Sequence, residues 1–465
     1  MISKLLKEIL YVKISEKHHT YFGGRRVKNL QKNTIMQLTL SVVMFVSMIL
    51  LAIPHQAKAA ENLGIHAKAA ILIDADTGKI LYEKNAGKSL GIASMSKMMT
   101  EYILLDQVKA GKIKWDQKYK VSDYAYKISQ DRALSNVPLR ADGEYTIREL
   151  YDAMAIYSAN AATIAIAETI AGSETEFLKL MNKKAKELGL TNYEFFNSSG
   201  LNNAQLQGMQ PAGTPNKGEN KMSARSVALL AYRLLKDHPE VLETSSIPSK
   251  VFRKGTDDAI KMDNWNFMLK GLVFEYEGVD GLKTGTTDYA GQCFTGTAKR
   301  GNTRLISVVM DATDADGNNE NKKARFDATK ALFDYGFNQF STEKIVSKNQ
   351  TFKGNETVAV ENGKEKQVKV AAKEELSMMV KTNDAKEYTA NVVLDKKSLN
   401  APVKKGEVVG HIEVKNKVGK DYGFIDPKIK ALEVVTIEAV EEKGWFTKVF
   451  SAIGDFFSNL WNKVF

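Results

Sequence analysis

Apolar and polar positions change period several times along this 465-residue chain. Ala69-Ala70-Ile71-Leu72-Ile73-Asp74 is a short apolar run, Asp76-Thr77-Gly78 is a turn, and Lys79-Ile80-Leu81-Tyr82 is a second run, so the pattern predicts a β-hairpin. After Ser94 the period becomes helical. Met95, Met98, Met99, Ile103 and Leu104 recur three and four apart, predicting a helix with one buried face. Residues 112–145 show only short extended pieces. Thr146 and Glu149 form a capping-box pattern before a helix through Leu150 and Met154. That helix breaks at Tyr157-Ser158-Ala159-Asn160 and resumes, alanine-rich and buried, over 161–170. Amphipathic helices follow over 174–188 and 223–235, separated by an Asn-, Gly- and Pro-rich loop over 197–218.

Strand texture returns over 281–284, 292–299 and 304–311, with Gly301-Asn302 as a hairpin turn, and 324–337 is a closing helix. The order predicts an α/β (α+β) domain over residues 60–340, an antiparallel sheet flanked by helices with a helical subdomain. Beyond it, short alternating runs at 357–360, 367–370, 407–409 and 433–437, parted by turns such as Asn362-Gly363, predict a small all-β domain over 341–440. Residues 441–465 read as an amphipathic helix. Phe446, Phe450, Phe457 and Trp461 stand on one side, and Lys448, Asp455 and Lys463 on the other, the pattern of an in-plane membrane anchor. A helix docked on its own domain is the competing reading.

Composition changes this picture at one end. The net charge is +11, but residues 1–59 hold nine Lys/Arg against two Asp/Glu, a net +7 that leaves +4 for the rest. No basic stripe with interleaved aromatics appears, so no nucleic-acid partner is implied. Arg25, Arg26, Lys28 and Lys32 precede an uncharged apolar run over 38–53 and then Ala57-Lys58-Ala59, which reads as a signal peptide region over 1–59 and an exported protein. A membrane-spanning anchor is the alternative, and Pro54 and the cleavage pattern oppose it. Cys293 is the only cysteine, so an intramolecular disulfide is excluded; in a strand it reads as buried packing. Beyond the leader only His66, His238 and His411 remain, with no metal-ligand spacing, and no cofactor is implied.

The candidate chemistry lies in three short motifs. Ser94 and Lys97, three apart on a helix, pair a hydroxyl with an amine. Ser158-Ala159-Asn160 sits at the helix break, and Lys283-Thr284-Gly285 lies on a strand. Singly these are weak, and Ser-x-x-Lys recurs at Ser341/Lys344 with no Lys-Thr-Gly after it. Their order and setting carry the weight.

This ordered triple resembles the penicillin-recognising serine acyl-enzymes, and most of all the low-molecular-mass D-alanyl-D-alanine carboxypeptidases of the penicillin-binding protein 5 type (peptidase family S11). The likeness extends over nearly all of residues 65–465 and includes Asn197-Ser198-Ser199-Gly200-Leu201 and the run from Val279 to Thr287. It implies a catalytic fold of the β-lactamase/transpeptidase type. It also implies a peptidoglycan stem peptide ending in D-Ala-D-Ala as substrate, acylation by β-lactam antibiotics, and a place at the outer face of the bacterial cytoplasmic membrane, held to the membrane surface by the C-terminal helix.

A serine hydroxyl at neutral pH needs a base, and no histidine triad is available. Lys97 can serve if a dry site and the cationic Lys283 depress its pKa. Ser158 would then relay a proton to the leaving amine, and Asn160 would hold Lys97 and the substrate amide. The backbone N–H groups of Ser94 and Thr286 resemble the family's oxyanion hole. Lys283, Thr284, Gly285 and Thr286 suit a substrate carboxylate, and the family's helix arginine corresponds to Arg325, with Arg304 as the alternative. A β-lactamase-like hydrolase and a non-catalytic penicillin-binding or cell-wall scaffold are the competing functions.

Overall fold

The computed structural model describes residues 63–382, 384–417, 421–426 and 432–444. The expected signal region and nearly all of the expected C-terminal helix lie outside them. No helix among the described residues is long and apolar enough to cross a membrane.

The first domain is organised on a five-stranded sheet. Its strands are β1 (Ala67–Asp74), β2 (Ile80–Lys84), β3 (Val279–Thr287), β4 (Gly291–Arg300) and β5 (Thr303–Ala312). The spatial order is β3-β4-β5-β1-β2, and every neighbouring pair is antiparallel. The expected hairpins at 74–80 and 301–302 are both present. On β1, Ile71 and Ile73 face one core while Ala70 and Leu72 face another; β5 alternates likewise, Val308 and Met310 against Leu305 and Val309. Both faces are covered, so these strands read as continuous apolar runs rather than as an alternation.

Helix α1 (Lys97–Lys109) is covered on all sides over its first nine residues, not on one face as its periodicity predicts. It is packed centrally, between the sheet side of the domain and the helical subdomain, and a polar side chain there must find a partner. Helix α2 (Asp123–Ser129) occupies part of the stretch that reads as irregular. Its Ser122 N-cap is a local signal, but seven residues are too few to show a period. The capping box at Thr146 and Glu149 forms as expected and opens α3 (Ile147–Tyr157); after Ser158, α4 (Asn160–Ala171) continues. Helices α5 (Glu174–Leu188), α6 (Ala224–Asp237) and α7 (Ala324–Gln339) complete the layers, α7 packing against β5 and β4. A strand pair, Ser249–Phe252 with Ile260–Asp263, is an addition the sequence pattern does not reveal.

The second domain is all-β. Its main sheet runs Tyr388–Leu394, Val408–Asn416, Leu432–Thr436, Gln367–Ala372, Thr357–Glu361, Ser398–Asn400, over a core that includes Val358, Val368, Val370, Val409 and Val434. A short segment of it reaches back to the first domain. Ile80 N–H donates to Gly423 O at 3.0 Å, Ile425 N–H donates to Gly78 O at 2.8 Å, and Lys79 Nζ ends on the Asp421 carboxylate.

Candidate active site

Ser94 is not inside the long helix. It lies in a single 3₁₀ turn, Ala93–Ser96, that feeds into α1, and Ala93 before it adopts φ +45°. A non-glycine residue in that region is strained by about 1–2 kcal/mol and needs surrounding structure to hold it. Part of that structure is β3. A Cβ built on Gly285 would stand 2.6 Å from Ile92 O and 3.2 Å from Met95 N, so only glycine lets the turn lie this close to the strand. The Lys-Thr-Gly motif is thereby coupled sterically to the serine turn.

Lys97, fully buried, points from the first turn of α1 back to Ser94. Its Nζ is 2.9 Å from Ser94 Oγ, 2.8 Å from Asn160 Oδ1 and 2.8 Å from Ser199 O. Asn160 opens α4, and its Nδ2 donates to Ser135 O at 3.0 Å, which fixes the amide so that Oδ1 faces the lysine. Burial pushes the Lys97 amine well below the ordinary lysine range; the nearby Lys283 charge adds to this and Glu174 opposes it.

Ser158 terminates α3 in the left-handed region, φ +60°, which is what separates α3 from α4 and turns its hydroxyl to the cleft. Among the described residues Lys97 Nζ is within hydrogen-bond distance of Ser94, Asn160 and Ser199, and it makes no hydrogen bond to Ser158. Lys283, on β3, is buried, and its Nζ donates to Thr284 O at 3.1 Å. Burial lowers its pKa to about 7; Glu101 opposes the shift and Arg325 adds to it.

Arg325, near the start of α7, donates through Nη1 to Gly285 O and Cys293 O, each at 3.0 Å, and through Nη2 to Thr286 Oγ1 at 2.7 Å. It also meets Gln292, while its buried Nε has no partner. Ser94, Ser158, Thr284, Gly285, Thr286 and Arg325 all line one cleft of about 260 Å³. Arg304 is elsewhere. Its two terminal nitrogens each lie 2.7 Å from Asp280, a bidentate pair that leaves it no part in the cleft.

The family model for D-alanyl-D-alanine carboxypeptidase matches residues 56–314, and that for the C-terminal domain of penicillin-binding protein 5 matches residues 340–442. The chain belongs to the D-alanyl-D-alanine carboxypeptidase family. Among its relatives, D-alanyl-D-alanine carboxypeptidase DacF of Bacillus subtilis is 35% identical, over 78% of this chain and 84% of that protein. D-alanyl-D-alanine carboxypeptidase DacC of Escherichia coli is 32% identical, over 84% and 89%. Of solved structures, the peptidoglycan synthesis regulatory factor PBP3 of Streptococcus pneumoniae is 36% identical with a TM-score of 0.66, covering 81% of this chain and all of that one. Penicillin-binding protein 5 of Haemophilus influenzae is 28% identical with a TM-score of 0.64, covering 81% and 98%. The chain has the two-domain fold of that group, a mixed α/β domain followed by a β-rich one.

In this carboxypeptidase-family site several partners escape sequence reasoning. Ser199 contributes a backbone carbonyl, which no side-chain motif announces. Asn197 holds that loop by accepting from Ser199 N–H, Ser199 Oγ and Gly200 N–H. Asn220 ties it to the serine turn through Ser96 Oγ at 2.9 Å. Glu101, one helical turn beyond Lys97, is buried and accepts from Tyr151 Oη at 2.7 Å; burial raises its pKa to about 7. Glu174 is likewise buried, accepting from Tyr124 Oη at 2.7 Å and Ser198 N–H at 2.8 Å. For Glu101 the signal is a carboxylate among the apolar residues of α1; Glu174, at the first position of an amphipathic helix, gives none. Cys293 is buried, and burial pushes its thiol up to about 11, in accord with a packing role.

Proposed function

We propose that this chain cleaves the terminal D-alanine from stem peptides ending in D-Ala-D-Ala through an ester formed at Ser94, and that penicillins acylate the same hydroxyl. The observation that carries this is Lys97. Asn160 Oδ1 and Ser199 O can only accept, so they take two N–H bonds of the amine. The third direction is left to Ser94, and in the uncharged amine that direction is the lone pair. Lys97 then takes the Ser94 proton as Oγ attacks the penultimate carbonyl. The N–H groups of Ser94 and Thr286 stabilise the oxyanion. Ser158 passes the proton to the leaving amine as the C–N bond breaks, and water releases the acyl group. The hydroxyls of Thr284 and Thr286, in the field of Lys283 and Arg325, hold the terminal carboxylate; Arg325 acts chiefly by fixing Thr286 and the Gly285 carbonyl.

Export and attachment to the outer face of the membrane belong to the same reading, supported by the basic-apolar leader and the aromatic face over 446–464. So do the domain limits 60–340 and 341–440.

The test mixes the full chain with diacetyl-L-Lys-D-Ala-D-Ala and with fluorescent penicillin. Release of D-alanine, a long-lived label whose mass maps to Ser94, and loss of both in Ser94→Ala are expected. Rapid penicillin turnover would point to a β-lactamase instead, and label without release to a scaffold.

A further inference from the structure

The leaving residue has three groups to place, and the cleft has a wall for each. On the carboxypeptidase reading, on which this inference rests, the amine leaves beside Ser158 and the carboxylate lies at Thr284, Thr286 and Arg325. What remains beside those residues is aromatic. Phe326 follows Arg325 on α7 and also lines the cleft, and Phe267 packs on it with ring centroids 5.7 Å apart. Trp265 continues the wall, 6.3 Å from Phe267, and is fixed by Nε1 donating to Tyr157 O at 3.1 Å, next to Ser158.

The sequence explains why these rings face the cleft. Along Asn264-Trp265-Asn266-Phe267 the side chains alternate. Asn264 and Asn266 point inward, donating to Ile247 O at 2.9 Å and to Gly281 O at 3.2 Å. Trp265 and Phe267 are left half-buried on the other side. At the rim, Lys322 Nζ sits 5.4 Å from the Trp265 ring, and no ion pair holds it among the described residues.

A methyl group makes little use of three aromatic rings, whose value lies in the apolar area they cover. A cation over the last ring disfavours a second cation there. We propose that this cleft accepts terminal D-residues with apolar or aromatic side chains larger than methyl, held against Trp265, Phe267 and Phe326, and that Lys322 excludes cationic ones. The chain thus acts as a trimming enzyme for stem peptides whose last position carries a bulky apolar D-residue, as well as D-alanine.

The experiment compares kcat/KM of the full chain on diacetyl-L-Lys-D-Ala-D-X, with X alanine, methionine, phenylalanine or lysine, reading the free D-residue. Methionine and phenylalanine are expected within about tenfold of alanine, and lysine at least about tenfold below it. Phe267→Ala should lower the phenylalanine-to-alanine ratio, and Lys322→Glu should raise the lysine-to-alanine ratio, each by about fivefold or more. Ratios within one variant cancel any general loss of folded enzyme. Efficient release of D-alanine with D-methionine and D-phenylalanine more than about tenfold slower overturns the inference alone, as do ratios that neither variant moves. No release from any peptide would remove the carboxypeptidase reading, and this one with it.

Discussion

Lys97 Nζ stands 2.9 Å from Ser94 Oγ with no carboxylate among its three hydrogen-bond partners. A buried ammonium without a counter-charge in contact is unfavourable, so the site favours the amine. Replacing Lys97 by arginine keeps a donor and a charge but removes the titratable lone pair, since a guanidinium stays protonated. Lys97→Arg is expected to slow penicillin acylation by about 10²–10⁴-fold in stopped-flow labelling. A rate near wild type in that variant would exclude Lys97 as the base.

On the proposed mechanism two lysines are used in opposite states, and this sets the pH dependence. Acylation requires Lys97 neutral, so it rises with pH as that depressed amine loses its proton. Carboxylate capture requires Lys283 charged, and its pKa of about 7 makes capture weaken as pH rises through that value. Hence kcat/KM should be bell-shaped, with its alkaline limb near pH 7 in the free enzyme, the two limbs belonging to the coupled pair. Lys283→Arg should remove the alkaline limb and leave the acid one; a profile with the same alkaline limb would contradict this.

Tyr151 gives the buried Glu101 carboxylate its hydrogen bond at 2.7 Å. Tyr151→Phe leaves that oxygen without the donor and should cost about 1–3 kcal/mol in urea unfolding. A double variant with Glu101→Gln should lose less than the sum of the single changes, because the group left unpaired is then uncharged. Additive losses would mean the two side chains are not coupled.

Gly200 has φ +84°, and a Cβ there would fall 1.9 Å from Ala93 O and 2.7 Å from Ser96 Oγ. Gly200→Ala must push the Ser199 loop off the serine turn and with it the carbonyl that holds Lys97. An ångström-scale shift of this kind is expected to reduce acylation on the order of 10²-fold. Unchanged acylation would show that the Ser199 carbonyl is dispensable.

Lys79 is buried in the first domain and its ammonium meets Asp421 of the second. Removing it leaves a partly buried carboxylate and weakens the short segment 421–426 that bridges the two domains at Ile80 and Ile425. In Lys79→Ala, amide exchange at Ile80 and Ile425 should quicken while Val309, in the centre of the main sheet, stays protected. Equal protection at all three positions would refute a role for the pair in docking.

Much of the architecture was legible because it rests on local rules. The hairpin turn at Asp76-Thr77-Gly78, the capping box at Thr146 and Glu149, and the break at Ser158 are each decided within a few residues, and each is found where the pattern places it. Helix α2 is invisible to the pattern because two turns do not establish a period. The one-sided burial expected of α1 failed for another reason. Periodicity registers apolar residues, whereas Lys97, Thr100 and Glu101 are buried because other segments supply their partners.

By itself the sequence determined which side chains are the candidates for the proposed chemistry: Ser94, Lys97, Ser158, Asn160, Lys283 to Thr286, and an arginine at 325 or 304. It did so through motif order, and the same order led to the family. Only the tertiary structure decided how they work together. The Ser199 carbonyl on Lys97, the close approach of Gly285 to the serine turn, the choice of Arg325 over Arg304, and the aromatic wall all join segments far apart in the chain. Hydrogen-bond partners and desolvation arise between segments brought together by folding, and no local pattern of residues encodes them.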